Sequence, residues 1–271
     1  MTTLRELGEF GLLAELERRG LAQGIEHDAA VVGGLVVTQD MLVEGVHFRF
    51  DLLGRRELGA RATAVNLSDL AACGADPLAL VVSLGLPPET EVEDVLELYA
   101  GLNERGVPVR GGDTTRAEHV LLSVTALGRS ERVPGRTGAQ PGDLVVVTGP
   151  LGAAGAAFRA GTLPPVPNRV EEGKRLAPVA TAMLDVSDGL APDARHIAER
   201  SGVRVAIELE RVPLADGAEL ADVGFGEDYE LLATTPDALG FPVIGRVEEG
   251  EGVELTVRGE PYSLAGWEHF R

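Results

Sequence analysis

The chain is poor in cations and sulfur. It carries one lysine, Lys174, one cysteine, Cys73, one tryptophan, Trp267, and 4% aromatic residues among 271. A lone cysteine excludes an intramolecular disulfide. With a single lysine and no Gly-x-x-x-x-Gly-Lys-Ser/Thr run, a P-loop that reaches nucleotide phosphates through its lysine is excluded too. Apolar runs such as Leu78-Ala79-Leu80-Val81-Val82 are strand-length, far from the roughly 20 residues of a bilayer crossing. The opening Met1-Thr2-Thr3-Leu4-Arg5-Glu6-Leu7 lacks the basic-then-apolar pattern of an export signal, so a cytoplasmic location is expected. Basic residues are outnumbered 24 to 43, for a formal charge of -19 and a pI near 4.6. That balance repels nucleic acid and anionic membrane alike, and an anionic substrate would need a metal between itself and the protein.

Acids among small residues are what the chain has instead. Asp28, Asp40, Asp69, Asp113, Asp185 and Asp188 lie in His27-Asp28-Ala29-Ala30, Thr38-Gln39-Asp40, Asn66-Leu67-Ser68-Asp69, Gly111-Gly112-Asp113-Thr114-Thr115 and Asp185-Val186-Ser187-Asp188-Gly189. Carboxylates without bulky neighbours approach a ligand closely, but several on one spot repel each other unless divalent cations sit among them. One shared site therefore predicts metal ions and, through them, a polyphosphate.

The pattern is mixed α/β. Leu4 to about Arg19 is amphipathic with helical spacing. Gly33-Gly34 between Ala29-Ala30-Val31-Val32 and Leu35-Val36-Val37-Thr38 predicts a tight hairpin with Asp28 and Asp40 at the outer ends of the ribbon. Helices are expected at Glu57 to Cys73, Glu91 to Arg105 and Gly189 to Arg200. Strands are expected at Leu78 to Leu86, Val120 to Gly128, Leu144 to Thr148, Met183 to Val186, Val203 to Leu209 and Tyr229 to Ala233. The Gly/Pro-rich stretch Ser130 to Asp143 predicts a boundary between domains 1–137 and 138–271.

Each local motif also has a plain structural reading. Ser68 or Asp69 can cap a helix beginning at Leu70, and Ser187 can cap the helix after Asp185, with Asp188 in its first turn. Gly111-Gly112-Asp113 reads as a turn offering amides and a carboxylate. Glu227 and Asp228 read as a solvated turn, Trp267 as a tail anchor, His47 as a strand-end histidine and Cys73 as a packing residue.

Taken in order, five segments carry a resemblance along nearly the whole chain. They are Asp40-Met41-Leu42-Val43-Glu44-Gly45-Val46-His47-Phe48, Ala64-Val65-Asn66-Leu67-Ser68-Asp69-Leu70-Ala71-Ala72, Gly111-Gly112-Asp113-Thr114-Thr115, Asp185-Val186-Ser187-Asp188-Gly189-Leu190 and Gly226-Glu227-Asp228-Tyr229-Glu230-Leu231. Together they resemble the thiamine-monophosphate kinase family, whose superfamily also holds aminoimidazole ribonucleotide synthetase, selenophosphate synthetase and the hydrogenase maturation factor HypE. The resemblance implies an α/β (α+β) two-domain aminoimidazole ribonucleotide synthetase-like fold, with a metal-, ATP-binding and dimerising N-terminal domain and a C-terminal domain completing a cleft. It implies Mg2+ ions, ATP and thiamine monophosphate as reactants, a homodimer, and direct phosphoryl transfer with no protein nucleophile. By the same resemblance Asp28, Asp40, Asp69, Asp113 and Asp185 match magnesium ligands, with Thr38 and Asp188 as further ones. Gly112, Asp113, Arg136 and Ser187 match ATP contacts, and His47, Glu227 and Trp267 match substrate contacts.

Departures sharpen the alternatives. Glu26-His27-Asp28 keeps one aspartate where the family usually has two, and Phe225 precedes Gly226 where a second glycine is usual. Gln39 stands at a usual threonine, so a metal contact there falls to its amide or main-chain oxygen or is lost. Glu104 or Arg105 occupies the place of an aromatic common near the adenine. The competing readings are another superfamily enzyme with a different substrate and a non-catalytic Mg-ATP-binding paralogue.

Overall fold

The computed structural model describes residues 3–22 and 27–267. Glu26 and the segment 268–271 lie outside the described residues. The chain opens with helix α1 (Leu4–Arg18), started by a capping box between Thr3 and Glu6. The hairpin follows as expected: β1 (Ala30–Val32) pairs antiparallel with β2 (Leu35–Val43), Val32 against Leu35. Next come α2 (Arg55–Ala72), β3 (Asp76–Leu86), α3 (Val92–Leu102), β4 (Val109–Arg116) and β5 (Leu121–Arg129). They build a five-stranded sheet in the order β1-β2-β5-β3-β4.

The second half adds β6 (Leu144–Val147), α4 (Ala153–Arg159), α5 (Val170–Leu176), β7 (Ala182–Asp185), α6 (Leu190–Ser201) and β8 (Arg204–Glu208). Strands β9 (Leu231–Thr235), β10 (Val243–Glu248), β11 (Gly252–Val257) and β12 (Glu260–Pro261) complete a seven-stranded sheet in the order β12-β11-β8-β10-β6-β9-β7. Most neighbouring strands are antiparallel, while β3–β4 and β8–β11 are parallel.

Helix α2 decides the placement of everything polar. From Leu58 to Ala72 its residues are buried except Ala60 and Asp69, which are half-buried, because one face lies on the first sheet and another on the second half of the chain. One continuous apolar cluster accordingly joins Leu70, Leu80 and Val124 of the first half to Leu176, Met183, Leu231 and Phe241 of the second. A second cluster, around Val145, Leu184, Ile197 and Ile207, is confined to the second half.

Three expectations are corrected by these elements. Gly111-Gly112-Asp113 is not a turn but the middle of β4, where a Cβ on Gly112 would sit 1.7 Å from the Val82 carbonyl oxygen. Ser68 and Asp69 do not cap a helix at Leu70, since they lie deep inside α2, more than three turns past its start at Arg55. Asp228 is not solvated: it is 4% exposed and accepts from the Gly152 and Ala154 amides at 2.7 and 3.3 Å, closing the N-terminus of α4.

Candidate active site

Four acids meet where α2, β2 and β7 converge. The backbone N–H of Asp185, at the end of β7, donates to Asp28 at 3.3 Å, and Ser68 of α2 donates to the Asp185 carboxylate at 2.5 Å. Beside Ser68, Asp69 accepts a hydrogen bond from Thr38 of β2. Thr38 and Asp40 are two apart on a strand and so share the inner, buried face. Arg136 reaches in from the loop before β6 and places Nε and an Nη at 2.9 and 2.7 Å from one oxygen of Asp28.

The electrostatics record the crowding. Burial raises Asp40 to about 6. Burial, then Asp28, raises Asp185 to about 8, with Asp40 adding to the rise and Ser68 and Arg136 opposing it. Asp69 is driven well above the carboxylate range by burial and then by Asp40, Asp185 and Asp28. Asp28 is raised by burial, against the pull of Arg136. Among the described residues one arginine, Arg136, is paired with these four acids, an excess of negative charge that could hold a cation. Carboxylates together with the hydroxyls of Thr38 and Ser68 form an all-oxygen donor set, which fits a hard divalent ion such as Mg2+.

Around this junction stand further residues singled out by sequence. The turn 186–189 leads from β7 into α6, and Ser187 does not cap that helix. Asp193 does so from within, accepting from the Asp188 and Gly189 amides at 3.1 and 3.0 Å. Glu227 returns to the same turn, its N–H bonding the Ser187 carbonyl at 2.8 Å, and its carboxylate takes a hydrogen bond from Arg61 of α2 at 3.0 Å. Glu227 and Tyr229 hold left-handed backbones, at φ 58 and 53, an uncommon and costly conformation for residues with side chains. Burial pushes the Tyr229 hydroxyl well above its ordinary range, with Glu227 first and then Asp40 and Asp185 adding to the rise against Arg61. Trp267, 52% exposed, is tied to the turn by its N–H on the Asp188 carbonyl at 3.0 Å. His47, in the turn after β2, accepts the Val43 N–H on Nδ1 at 3.1 Å, which leaves Nε2 to carry the proton of the neutral ring.

Two motifs stand apart. Register runs Asp40–Val124–Val82–Gly112 across four strands, and Met41–Ser123–Ser83–Asp113 one residue on. Asp113 therefore shares the outer face with exposed Met41, about 14 Å away at roughly 4.8 Å per strand, whereas Asp40 faces inward. Gln39 also points outward, its amide oxygen accepting from Thr125 at 3.1 Å. Sequence reasoning passed over Arg61, Asp193 and His196. Arg61 and Ser68 are seven apart, which is one face of a helix, and that spacing was the available signal.

The architecture is that of the AIR synthase related proteins: residues 26–130 match the family model described as AIR synthase related protein, N-terminal domain. HypE in complex with ATP shares the fold at 18% identity, with a TM-score of 0.70 over 96% of this chain and 94% of that one. Within this class, the thiamine-monophosphate kinase of Aquifex aeolicus is 35% identical over 98% of this chain and 99% of its own length. That of Pyrococcus horikoshii is 35% identical over 88% and 86%. The solved complex "AaThiL complexed with AMPPCP and TMP" superposes with a TM-score of 0.91 at 34% identity, covering 99% of both chains. The chain belongs to the thiamine-monophosphate kinase family.

Proposed function

We propose that this protein transfers the γ-phosphoryl group of ATP to the phosphate of thiamine monophosphate, giving thiamine diphosphate and ADP. The observation that carries the reading is the buried junction of Asp28, Asp40, Asp69 and Asp185, drawn from both halves of a chain of this family. A different superfamily substrate is disfavoured because similarity to HypE is at 18% identity, against about 35% for relatives named thiamine-monophosphate kinase. A purely structural protein has little reason to keep four mutually repelling acids, and a non-catalytic Mg-ATP-binding paralogue is separated from the kinase by turnover of thiamine monophosphate.

Asp28, Asp40, Asp69 and Asp185, with Thr38 and Asp188, are the residues that would hold magnesium; Gln39 would contribute its main-chain oxygen. When bound there, magnesium would supply the positive charge that offsets the phosphates, so that these residues could hold two anionic reactants in line. Arg136, at the end of the first domain, and Ser187 of the second then position ATP. His47, with its proton on Nε2, is set to donate to the acceptor phosphate, while Glu227, held by Arg61, and Trp267 contact the thiamine moiety. The acceptor phosphate is already ionised near neutral pH, so its oxygen attacks the γ-phosphorus without a protein base as the bond to the β–γ bridging oxygen breaks.

We further propose a cytoplasmic homodimer of two-domain chains, divided at 137/138. The outer sheet face exposes Met41, Leu78 and Val81 beside Asp113, and a second copy packed there would cover them. Pairing is also the arrangement that gives Gly112 and Asp113 a place at a nucleotide. Chromatographic resolution of a Mg2+, ATP and thiamine monophosphate mixture tests the reaction. Thiamine diphosphate and ADP should accumulate together, and ADP should not accumulate without thiamine monophosphate. Absence of the diphosphate product at saturating magnesium rejects it. Sedimentation should give about twice 28.4 kDa.

A further inference from the structure

Asn66 is fully buried in α2, one turn before Asp69 and on the same face of the helix. Its Nδ2 donates to the Ala62 carbonyl at 2.9 Å. Only the amino end of an amide can donate, so this bond fixes the orientation and turns Oδ1 away from Ala62. Among the described residues no donor meets Oδ1. Every hydroxyl of α2 and β2 is committed elsewhere: Thr38 and Ser68 donate to Asp69 and Asp185, and Thr63 donates to the Leu102 carbonyl at 2.9 Å. The Nδ2 bond is redundant for the helix, because the Ala62 carbonyl also takes the Asn66 N–H. A leucine or alanine would suit this apolar stretch without stranding an amide oxygen.

We propose that Asn66 is a positioning residue of the acid junction: its Oδ1 accepts a hydrogen bond from a water molecule on the magnesium ion held there. Magnesium gives up its waters reluctantly and so brings donors with it, and a water on a cation is a stronger donor than a free one. An ion and its water extend about 4 Å beyond a carboxylate oxygen, and Cβ atoms one helical turn apart are about 5–6 Å from each other, so such a water at Asp69 comes within reach of Oδ1. A neutral amide oxygen suits the task because it accepts without adding charge to four crowded acids. The inference rests on the magnesium of the kinase reading and not on its substrates.

The test is a calorimetric titration of the full-length, metal-free protein with Mg2+ alone, beside thermal melts. Asn66→Leu should lose about 10–100-fold in Mg2+ affinity, the usual effect of removing an outer partner of a bound ion, with its metal-free melting temperature unchanged or raised. Should the larger leucine not fold, Asn66→Ala carries the same expected loss. Asn66→Asp retains an oxygen, so it should bind Mg2+ at least as tightly as the wild-type protein and melt lower without metal. Thr63→Val, which removes a buried hydroxyl from the same helix, should leave the affinity unchanged. An affinity within about twofold of normal in Asn66→Leu and Asn66→Ala, or an equal loss in Thr63→Val, overturns the role and leaves Asn66 as a helix residue alone. No thiamine compound is present, so the two readings fail separately: the kinase reading fails on absent thiamine diphosphate, whereas a wild-type protein that binds no Mg2+ removes the cation and this inference with it.

Discussion

Two groups of acidic side chains in this molecule make a contrast. Glu230 lies 3% exposed, yet it faces a two-pronged contact from Arg169 at 2.6 and 2.6 Å and a hydroxyl from Thr148 at 2.6 Å. Every negative oxygen there has a fixed donor, as a buried charge requires. At the junction of Asp28, Asp40, Asp69 and Asp185, one guanidinium stands among four carboxylates, and their proton affinities climb together. The first arrangement closes on itself and holds the second half together. The second gathers more negative charge than its one arginine balances, the arrangement that the proposed magnesium would neutralise.

Substitutions should separate the two settings, the junction showing the largest effect. Asp69→Asn or Asp185→Asn is expected to lower kcat by about 10²–10³ or more, with the melting temperature of the metal-free protein unchanged or raised, because each removes repulsion as well as a ligand. Steady-state kinetics beside a thermal melt decides this, and near-normal turnover in both variants would remove the junction from catalysis. Arg169→Ala should do the opposite. It leaves Glu230 buried without its counter-charge and held by the Thr148 hydroxyl, at a cost of about 3–5 kcal/mol in denaturant unfolding, with kcat per folded molecule within about twofold of normal.

A pH series sharpens the same contrast. Asp40 and Asp185 are raised to about 6 and about 8, so the folded chain keeps protons that the unfolded chain releases from about pH 4 upward. Folding then takes up protons, and stability of the metal-free protein should fall between about pH 5 and about pH 8. Added Mg2+ should restore more at the upper end than at the lower, because it replaces those protons. A melting temperature that rises over this range without metal would contradict the crowding. The smallest effect is expected at Gln39→Ala, within about 0.5 kcal/mol in stability and about twofold in kcat, because its side chain faces away from Asp40 and a main-chain oxygen survives the change.

Much of this was legible along the chain. The hairpin at Gly33-Gly34 follows from turn chemistry between two apolar runs, and α2 and β3 follow from period and length. Strand β4 was hidden, because Gly111-Gly112-Asp113 carries none of the alternation that marks a strand and owes its conformation to the register with Val82. Strands β10, β11 and β12 were not foreseen either, and the pairings of β10 with β6 and of β11 with β8 span long stretches of sequence. Ser68 and Ser187 have the residue types of helix caps, and whether a serine caps depends on where the helix begins.

Five acidic motifs in their order were sufficient for a resemblance to the thiamine-monophosphate kinase family, because a motif is local and chemical. Which acids share a site was settled by packing. Helix α2, clasped between two sheets, brings Ser68 to Asp185 and Asp69 to Thr38, whereas the pleat of β2 and the edge position of β4 turn Gln39 and Asp113 outward. A strand alternates its side chains between faces whatever their chemistry, so convergence of like charges is a property of the folded chain and not of any one segment.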